Sequence, residues 1–526
     1  MSNHSLEGAD LPRDFNAATY FIDAHIGAGR QEKIAYIDDD GRYSYGDLCV
    51  RVNQAGNVLK NLGLAPESRI AMVMSDSFDF VCVFWGAIKA GFVPVPINTL
   101  LTQEHYGYIL DDCRAQVLVI SSSHCDSVDL LIDEDTHLKT IIVAQGGVES
   151  RQHLETLIAE SPRGLQAART CADDVAFWLY SSGSTGDPKG VKHLHSSLVH
   201  TANAYGQSVL GIREDDIVFS AAKLFFAYGL GNGMTFPLSV GATTVLTAER
   251  PSPTLVMALL QRDQVTLYFG VPTLYAAILA DPATSSARGS EQLRLCVSAG
   301  EALPAEIGRQ WQDRFAVSII DGVGSTEMLH IFLSNRPDDV AYGTSGNAVP
   351  GYEVKLVDDA GRAVGEGEIG ELVVKGHSSA EGYWNQREKS RKTFVGEWTY
   401  TGDKYYVDAE DRYHFCGRTD DMFKSGGNWV SPFDVEAILI EHPQVLEAAV
   451  VAHSDEHGNV KPKAFVVLHD PTKAGDELVD VLKTHVKQLT ELWKYPRWIE
   501  FRTTLPKTAT GKIQRFKLRE SRNDAS

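Results

Sequence analysis

Short apolar runs rich in β-branched residues alternate with longer amphipathic segments along much of this chain. The runs that predict strands include Arg69–Met74, Ala115–Ile120, Thr140–Val143 and Thr243–Leu246. Between such runs, Tyr45–Leu62 and Phe78–Ala90 carry apolar residues three and four positions apart, which is the spacing of a helix with one buried face. Strand–helix alternation of this kind predicts an α/β fold with largely buried sheets, and 526 residues are enough for several packed units.

The pattern changes from about Gly351 onward, where short strands punctuated by turns predict a small antiparallel, barrel-like section. These strands are Val354–Val357, Gly370–Val374, Trp398–Tyr400 and Tyr405–Asp408. A dense turn cluster at Arg418–Gly427 then precedes a final α+β segment. The elements predicted there are a helix at Asp434–Glu441, strands at Ala448–Ala452 and Lys463–Leu468, and a helix at Glu477–Leu492. We therefore predict a large N-terminal domain at 1–419 and a small C-terminal domain at 420–526.

Composition and charge exclude several classes of function. Lysine and arginine total 49 against 69 aspartates and glutamates, so the net charge of −20 disfavours binding to nucleic acid or an anionic membrane. The most hydrophobic stretch, Phe80–Ile97, is too short and too broken by Lys89 and prolines to span a bilayer. Seven scattered cysteines without C-x-x-C spacing, and no signal peptide, predict a reduced, cytoplasmic protein.

A glycine- and hydroxyl-rich segment, Tyr180–Lys192, has the composition of a phosphate-binding loop. Glycines allow a close backbone approach to phosphate, while hydroxyls and a lysine add hydrogen-bond donors and positive charge. The spacing differs from a Walker loop, because Pro188 stands where that motif needs its Gly-Lys-Ser/Thr. Composition alone leaves a flexible surface loop as an equal alternative. The candidate phosphate ligands are Ser181, Ser182, Gly183, Ser184, Thr185, Gly186 and Lys189.

Three further motifs follow this loop in order, and together they resemble the adenylate-forming superfamily of acyl- and aryl-CoA synthetases. They are DGVGSTEM at Asp321–Met328, YTGD at Tyr400–Asp403 with GRTDD at Gly417–Asp421, and LPKTATGKIQR at Leu505–Arg515. The resemblance implies a two-step reaction. A carboxylate attacks the α-phosphorus of ATP to give an acyl-adenylate, and a thiol then displaces AMP. It also implies a Mg²⁺ requirement and a C-terminal domain that is mobile.

The resemblance assigns roles to the residues that match these motifs. Lys512, Thr185 and Glu327 would be catalytic, with Glu327 as the Mg²⁺ ligand, and Asp420 would be the hinge between the domains. Lys512 is also a candidate for regulatory acetylation. The remaining ATP and AMP contacts would be Gly300, Glu301, Ala302, Asp321, Gly322, Val323, Gly324, Ser325, Thr326, Asp403 and Arg418. Val323 stands where a tyrosine often stacks on adenine, so an aromatic contact would have to come from elsewhere.

The acid pocket is expected around KLFFAYGLGNG, a segment at Lys223–Gly233 that resembles the benzoate–CoA ligase branch of the superfamily. A flat slot for an aromatic ring needs an aromatic wall and small neighbours, whereas bulk at its end would exclude long fatty acids. The lining residues would be Phe226, Ala227, Tyr228, Gly229, Ala302, Gly324, His330 and Ile331. Benzoate is the preferred acid, and 2-aminobenzoate and 4-hydroxybenzoate stay open as alternatives. From the residues alone, Phe225, Phe226 and Tyr228 are better explained as core aromatics.

Coenzyme A is the simplest thiol acceptor. No acidic residue that could recognise an amino group lies between Lys223 and Gly233, and no carrier-domain segment follows Arg519. The expected coenzyme A contacts are Lys424, Ser425, Gly426, Gly427 and Trp429. Two alternatives to a CoA ligase stay open, a stand-alone acid-adenylating enzyme and an inactive homologue that senses a ligand. A monomer and a homodimer are both compatible with the sequence.

Overall fold

A computed structural model describes residues 11–128, 137–146, 151–181, 187–285, 289–419, 421–426, 428–455, 458–507 and 513–520. The predicted catalytic residues Thr185 and Lys512 and the predicted hinge residue Asp420 lie outside these residues. So do five other predicted site residues, namely Ser182, Gly183, Ser184 and Gly186 of the loop and Gly427 of the coenzyme A segment. In the part of the chain that is described, no helix combines the length and the apolar character needed to cross a membrane.

A five-stranded, fully parallel sheet forms the first α/β unit. Its strands in spatial order are Val93–Pro96, Arg69–Val73, Val117–Ser121, Thr140–Ala144 and Gln152–His153. The helix Phe78–Ala90 is buried along almost its whole length, because it lies between this sheet and the helix Tyr45–Asn61. Both helices begin where the sequence offers a cap, with Ser44 and Ser77 accepting hydrogen bonds from backbone N–H groups of the first turn.

A nine-stranded sheet forms the second unit and carries most of the candidate site. Its inner strands are parallel, and antiparallel strands close both edges. In spatial order they are Asn347–Ala348, Ile331–Ser334, Ile319–Gly324, Leu295–Ser298, Leu267–Gly270, Ile217–Ser220, Thr243–Val245, Ile34–Ile37 and Arg42–Ser44. The carboxyl ends of parallel strands form one edge of such a sheet, and ligands bind in the crevice outside that edge.

Two antiparallel sheets complete the large unit. One contains Gly382–Tyr383, Lys189–Leu194 and Val175–Ser181, so it holds the strands on both sides of the phosphate loop. The other contains Glu353–Val357, Gly370–Lys375, Trp398–Val407, Phe394–Val395 and Tyr413–Arg418. The prediction of separate strands at Trp398–Tyr400 and Tyr405–Asp408 is wrong, because one continuous strand runs through the Thr-Gly-Asp turn signal. Pairing with neighbours on both sides keeps that strand extended.

The C-terminal segment has its own apolar core and sheet. The strands Val445–Ser454 and Val460–Leu468 are antiparallel, and Trp498–Phe501 adds a parallel strand that the sequence did not indicate. The predicted turn cluster is partly wrong as well, since it contains Phe423–Ser425, which pairs with Asn428–Val430. The division into domains at residues 419 and 420 stays a prediction.

The helices cover the faces of these sheets. The α-helices are Ala24–Gly27, Tyr45–Asn61, Phe78–Ala90, Gln103–Asp112, Leu154–Ala159, His195–Thr201, Ala227–Leu230, Phe236–Val240, Pro253–Arg262, Pro272–Ala280, Ala305–Phe315, Arg387–Thr393, Pro432–Ile440, Asp476–Leu489 and Arg515–Glu520. Short 3₁₀ segments lie at Ser122–Ser127, Pro282–Thr284 and Pro471–Lys473. Turns of π-helix lie at Thr19–Asp23, Ala202–Gln207 and Gly231–Thr235, the last of these beside the predicted acid pocket.

Candidate active site

A lysine, a tyrosine and a glutamate meet beside the phosphate loop. The Tyr383 hydroxyl donates to Glu327 Oε1 at 2.7 Å, and Lys189 Nζ lies 3.9 Å from the same oxygen. Lys189 Nζ also sits 4.4 Å from the centre of the Tyr383 ring. Burial lowers the pKa of Lys189, and the Glu327 carboxylate opposes that shift. The cluster therefore places a cation and a carboxylate together at the end of the loop, in a partly desolvated position.

Tyr383 is the member of this cluster that sequence reasoning missed. It lies in Gly382–Tyr383, which pairs with Lys189–Leu194, and this pairing carries the tyrosine to the far end of the loop. Burial, followed by the nearby Glu327 carboxylate, raises the pKa of the Tyr383 hydroxyl, so the group is a neutral hydrogen-bond donor. A long-range strand pairing is needed to bring residue 383 beside residue 189, and only the Gly-Tyr-Trp sequence there could have drawn attention to it.

Glu327 has the donor type that Mg²⁺ prefers, and its surroundings fit a metal shared with a nucleotide. Its side chain is only 17% exposed, and it lies beside Lys189, a residue suited to phosphate. Mg²⁺ in phosphoryl-transfer sites is usually held by one or two carboxylates together with substrate phosphates and water. Among the described residues, no cluster of three or more histidine, cysteine, aspartate or glutamate side chains could hold a metal by itself.

Ser181 is the one phosphate-loop hydroxyl that the structure describes. Its Oγ is buried and has no hydrogen-bond partner among the described residues. A buried polar atom without a protein partner costs free energy, so Ser181 Oγ is a suitable hydrogen-bonding group for a ligand or a water molecule. Ser181 and Lys189 are partners in the antiparallel pair of strands that precede and follow the loop.

Asp403 and Arg418, both predicted to contact the nucleotide, are brought together by strand pairing. They are opposite each other in the antiparallel ladder, and Arg418 Nη1 lies 3.2 Å from Asp403 Oδ1. Asp403 is buried, whereas the Arg418 side chain is half exposed. Arg418 also contributes to the electrostatic environment of both Lys189 and Tyr383. The predicted ribose residues therefore border the predicted phosphate residues.

The segment after the strand Leu295–Ser298 meets the strand Ile319–Gly324 at the carboxyl edge of the large sheet. Ser298 and Asp321 are partners in the parallel ladder, and the Asp321 carboxylate accepts a hydrogen bond from Leu303 N–H at 3.3 Å. Gly300 and Ala302 are exposed on this segment. Asp321 therefore holds the residue that follows the Gly300–Glu301–Ala302 segment, rather than contacting solvent itself.

Asp321 is neutral for much of the physiological pH range. Burial raises its pKa to about 8, and the hydrogen bond from Leu303 N–H opposes that rise. Between the ordinary pKa of about 4 and this raised value, the folded protein binds a proton that the unfolded chain has lost. Stability therefore falls as pH rises through that window, by up to about 1.4 kcal/mol for each pH unit.

We expect Asp321→Asn to remove this slope, because asparagine keeps the shape without the titrating proton. The melting temperature of the variant, measured from pH 5 to pH 8, should rise relative to that of the unmodified protein as pH increases. Asp216→Asn is the matched control. Although burial raises the pKa of Asp216, its hydrogen bonds and ion pair with Arg294 lower it overall. Asp216→Asn should therefore lose stability at neutral pH. If the melting temperatures of Asp321→Asn and the unmodified protein differ by the same amount at every pH, the raised pKa of Asp321 is contradicted.

The predicted acid pocket contains an aromatic wall at the same carboxyl edge. The Tyr228 hydroxyl lies within hydrogen-bond distance of the carbonyl oxygens of Gly270 and Val297, at 3.3 and 3.2 Å. His330 is buried, and its ring centre lies 5.6 Å from that of Tyr228. Ile331 is buried as well. The structure thus places Tyr228 and His330 beside each other, while Phe226 and Ala227 are half-buried.

Two small residues in this region are needed for backbone packing. A Cβ at Gly229 would lie 2.0 Å from the Lys223 carbonyl oxygen, and a Cβ at Gly324 would lie 2.5 Å from the His330 carbonyl oxygen. No other residue type fits these positions without a backbone shift. The small size of Gly229 and Gly324 therefore follows from close backbone contacts, whether or not it also leaves room for a substrate ring.

The predicted coenzyme A residues form a hairpin of their own. Lys424 and Trp429 are opposite each other, and the Lys424 ammonium lies 4.8 Å from the centre of the Trp429 ring. Trp429 is 37% exposed, while the buried Ser425 hydroxyl accepts from Lys461 Nζ at 3.3 Å. Gly426, with φ of 60°, makes the turn. The hairpin presents a cation and an aromatic face to solvent, and its link to coenzyme A stays a prediction.

Arg515 is a second residue that sequence reasoning passed over. It lies three positions after Lys512, is buried, and forms a bidentate ion pair with Glu436 at 3.1 and 2.7 Å. The Phe433 ring lies 4.2 Å from its guanidinium carbon. Glu301 also acts electrostatically on Arg515, after Glu436 and Asp421. The chain that follows the LPKTATGK segment is therefore anchored to the C-terminal unit by Arg515.

Comparisons with known proteins agree with these features over nearly the whole chain. Residues 24–384 match the AMP-binding enzyme family, and residues 434–512 match the AMP-binding enzyme C-terminal domain. The chain is 53% identical to a benzoate–CoA ligase of Thauera aromatica over 97% of both proteins. It is 52% identical to a 4-hydroxybenzoate–CoA/benzoate–CoA ligase of Rhodopseudomonas palustris, over 97% of this chain and 94% of that one.

Solved structures give the same result for the fold. A benzoate CoA ligase from Burkholderia xenovorans superposes with a TM-score of 0.89 at 49% identity, covering 96% of this chain and 100% of that one. An anthranilate CoA ligase in complex with anthranoyl-AMP superposes with a TM-score of 0.92 at 43% identity, covering 97% of this chain and 98% of that one. Both the family matches and the fold therefore confirm the resemblance drawn from the motifs. The chain belongs to the AMP-binding family of adenylate-forming enzymes.

Proposed function

We propose that this chain is an AMP-forming aryl-CoA ligase that activates benzoate with ATP and transfers the acyl group to coenzyme A. The observation that carries the proposal is the full-length match, at 53% identity, to a benzoate–CoA ligase. Matches of this length include the acid pocket as well as the nucleotide motifs. The arrangement of Tyr228, His330 and Ile331 at the carboxyl edge of the sheet supports the same substrate class.

In the first half-reaction, the benzoate carboxylate attacks the α-phosphorus of ATP, an acyl–phosphate bond forms, and pyrophosphate leaves. An anion must approach a polyanion, so the protein contributes mainly positioning and neutralisation of charge. Lys189 and the phosphate loop would hold the leaving phosphates, and Asp403 with Arg418 would hold the ribose. Glu327 would bind Mg²⁺, which when bound supplies positive charge at the phosphates, and Tyr383 would orient the Glu327 carboxylate.

In the second half-reaction, the thiolate of coenzyme A attacks the acyl carbon, a thioester forms, and AMP leaves. Lys512 would serve only the first step, and the C-terminal domain would then rotate about Asp420. The Lys424–Trp429 hairpin would line the pantetheine path after that rotation. Its exposed aromatic face and its cation are suited to a thiol substrate that carries phosphate groups.

The acid specificity would follow from bulky side chains at the end of the predicted pocket. His330 and Ile331 are both buried, so a medium-length alkyl chain would have to displace packed side chains. We expect kcat/KM to be much higher for benzoate than for octanoate, with 2-aminobenzoate and 4-hydroxybenzoate as the closest competitors. Pyrophosphate release measured across these acids tests the proposal, and a preference for octanoate would overturn the assigned pocket.

Ala302→Phe should block the acid site without harming the fold. Ala302 is exposed, so the new ring meets little in the free protein, and the melting temperature should stay the same. Where a bound acid and the new ring compete for one space, overpacking costs about 1–3 kcal/mol, so KM for benzoate should rise about tenfold or more. KM for ATP should change little, and Ala302→Ser is the size-matched control. Equal losses for benzoate and ATP would show that Ala302 does not line the acid site.

A further inference from the structure

Asp112 is the last residue of the helix Gln103–Asp112, which is an unfavourable place for an aspartate. The C-terminus of a helix carries a partial negative charge, so a carboxylate there needs another group to stabilise it. The last turn of this helix contains no basic residue, and a second aspartate, Asp111, precedes Asp112. The contacts that stabilise the Asp112 carboxylate must therefore come from outside the helix.

The side chain of Asp112 binds the strand that leads into the phosphate loop. The Tyr180 hydroxyl donates to Asp112 Oδ2 at 2.6 Å, the length of a charge-assisted hydrogen bond. Burial raises the pKa of Tyr180 above its usual value, so the tyrosine keeps its proton and is the donor. Burial raises the pKa of Asp112 as well, and the hydrogen bond from Tyr180 opposes that rise. Tyr180, which directly precedes Ser181, is thus tied to the first α/β unit.

The backbone of Asp112 binds a second segment that borders the loop. The last four carbonyl groups of a helix have no partner within the helix, and the Asp112 carbonyl oxygen accepts from Trp384 Nε1 at 2.8 Å. The backbone N–H of Trp384 in turn donates to the Gly190 carbonyl oxygen at 2.8 Å. Asp112 therefore contacts the neighbours in sequence of both Ser181 and Tyr383.

The residues that contact this helix alternate with residues of the candidate phosphate site. Tyr180 and Gly190 are opposite each other in the antiparallel pair, and Ser181 and Lys189 are the next pair along it. Successive side chains of a strand point to opposite faces of the sheet. Tyr180 therefore faces the helix, whereas Ser181 and Lys189 lie on the opposite face, where Lys189 Nζ approaches the Tyr383 hydroxyl at 3.4 Å.

Gly190 leaves the space that the Tyr180 ring occupies. A Cβ at residue 190 would lie 3.2 Å from Tyr180 Cζ and 3.3 Å from the hydroxyl oxygen. These separations are shorter than the optimal contact between non-bonded heavy atoms. A larger residue at position 190 would therefore press on the Tyr180 ring and disturb its hydrogen bond to Asp112.

We propose that Asp112 is a positioning residue for ATP, which fixes Ser181 and Lys189 at the two ends of the phosphate loop, and Tyr383 beside them, without touching the nucleotide itself. Its hydrogen bond from Tyr180 then contributes to affinity for the β- and γ-phosphates, and not to affinity for the rest of the nucleotide. This inference rests on the proposed function, which assigns the leaving phosphates to this loop.

The affinity for an ATP analogue relative to that for AMP provides the test, because AMP lacks both phosphates. The analogue carries a methylene group between its α- and β-phosphates, so it is not consumed. Each ligand is titrated with Mg²⁺ into the full-length protein and followed by calorimetry. In Asp112→Ala the analogue should bind about tenfold more weakly or worse, the loss expected for one hydrogen bond to a charged group, whereas AMP should bind unchanged.

Neighbouring variants control for charge and for folding. Asp112→Asn should keep most of the affinity, because an amide oxygen still accepts from Tyr180. Tyr180→Phe should reproduce the alanine phenotype, and it decides the proposal by the same ratio if Asp112→Ala does not fold. Asp111→Ala, which removes an exposed carboxylate one position away, should change neither affinity. Equal losses for the analogue and AMP in Asp112→Ala and Tyr180→Phe, or no loss for either ligand, would overturn the proposal.

Separate half-reactions distinguish this inference from the proposed function. In Asp112→Ala, KM for ATP in adenylation should rise by the same factor as the analogue affinity falls. Thioester formation from pre-made benzoyl-adenylate and coenzyme A should keep its rate, because that step uses neither phosphate, and equal losses in both steps would overturn the inference. Selective loss of analogue binding would support it even if no benzoate is turned over, whereas failure of the unmodified protein to activate benzoate would contradict the proposed function alone.

Discussion

Lys512→Ala should slow adenylate formation by about 10²–10³, the range for loss of one preorganised group that stabilises charge in a transition state. The lysine is proposed to neutralise the attacking carboxylate and the α-phosphate while pyrophosphate leaves. Afterwards the C-terminal domain rotates and carries it away. The variant should therefore still convert pre-made benzoyl-adenylate and coenzyme A to thioester at a near-normal rate.

Rates of pyrophosphate exchange and of thioester formation from added adenylate, measured separately, check this expectation. Lys507→Ala is the matched control, since Lys507 lies in the same segment and pairs with Glu447 at 2.6 Å on the surface. Acetylation of Lys512 should reproduce the alanine phenotype because it also removes the charge. If Lys512→Ala is equally slow in both half-reactions at an unchanged melting temperature, the lysine does not act in the first step alone.

Glu327→Gln should reduce adenylation by a similar factor of about 10²–10³, again the loss expected when a charge-stabilising group is removed. Glutamine keeps the size of the side chain and can still accept the hydrogen bond from Tyr383. What it removes is the negative charge that faces Lys189 and that a hard cation requires. The Mg²⁺ concentration needed for half-maximal exchange should rise together with the fall in rate.

Binding of Mn²⁺ to the protein–ATP complex, followed by electron paramagnetic resonance, provides a readout independent of turnover. We expect weaker Mn²⁺ binding in Glu327→Gln and unchanged binding in Glu381→Gln, an exposed carboxylate two positions from Tyr383. Tyr383→Phe should show an intermediate effect, because it removes only the orienting hydrogen bond. An unaltered metal dependence in Glu327→Gln would exclude that residue as the metal ligand.

Local patterns in the sequence were enough to predict the α/β units. The helix Phe78–Ala90 agrees with its predicted bounds, and the strands near residues 70, 118 and 141 agree within a few residues. These elements are buried on all sides or capped by a nearby serine, so the information that determines them is local. The motif near Asp321 likewise indicated a residue at the carboxyl edge of the nine-stranded sheet, and the motif near Asp403 indicated a carboxylate that strand pairing brings beside Arg418.

Features that depend on distant partners could not be predicted. Trp398–Val407 is one strand because neighbours pair with it on both sides, although its Thr-Gly-Asp sequence is typical of a turn. Tyr383 joins Lys189 only through a sheet that spans nearly 200 residues of sequence. The glycines at 229 and 324 were predicted to leave room for a ring, whereas the atoms that require them to be small are backbone carbonyls.

The central claim is that this chain joins an aromatic acid to coenzyme A through an adenylate. Its most direct test is to incubate the purified protein with ATP, Mg²⁺ and benzoate, with and without coenzyme A. AMP, pyrophosphate and benzoyl-CoA are then quantified. With coenzyme A, the three products should appear in equal amounts over many turnovers; without it, pyrophosphate should stop at about one per active site. Continued pyrophosphate release with no thioester would contradict the account in favour of a stand-alone adenylating enzyme, and the absence of all three products would indicate a ligand sensor.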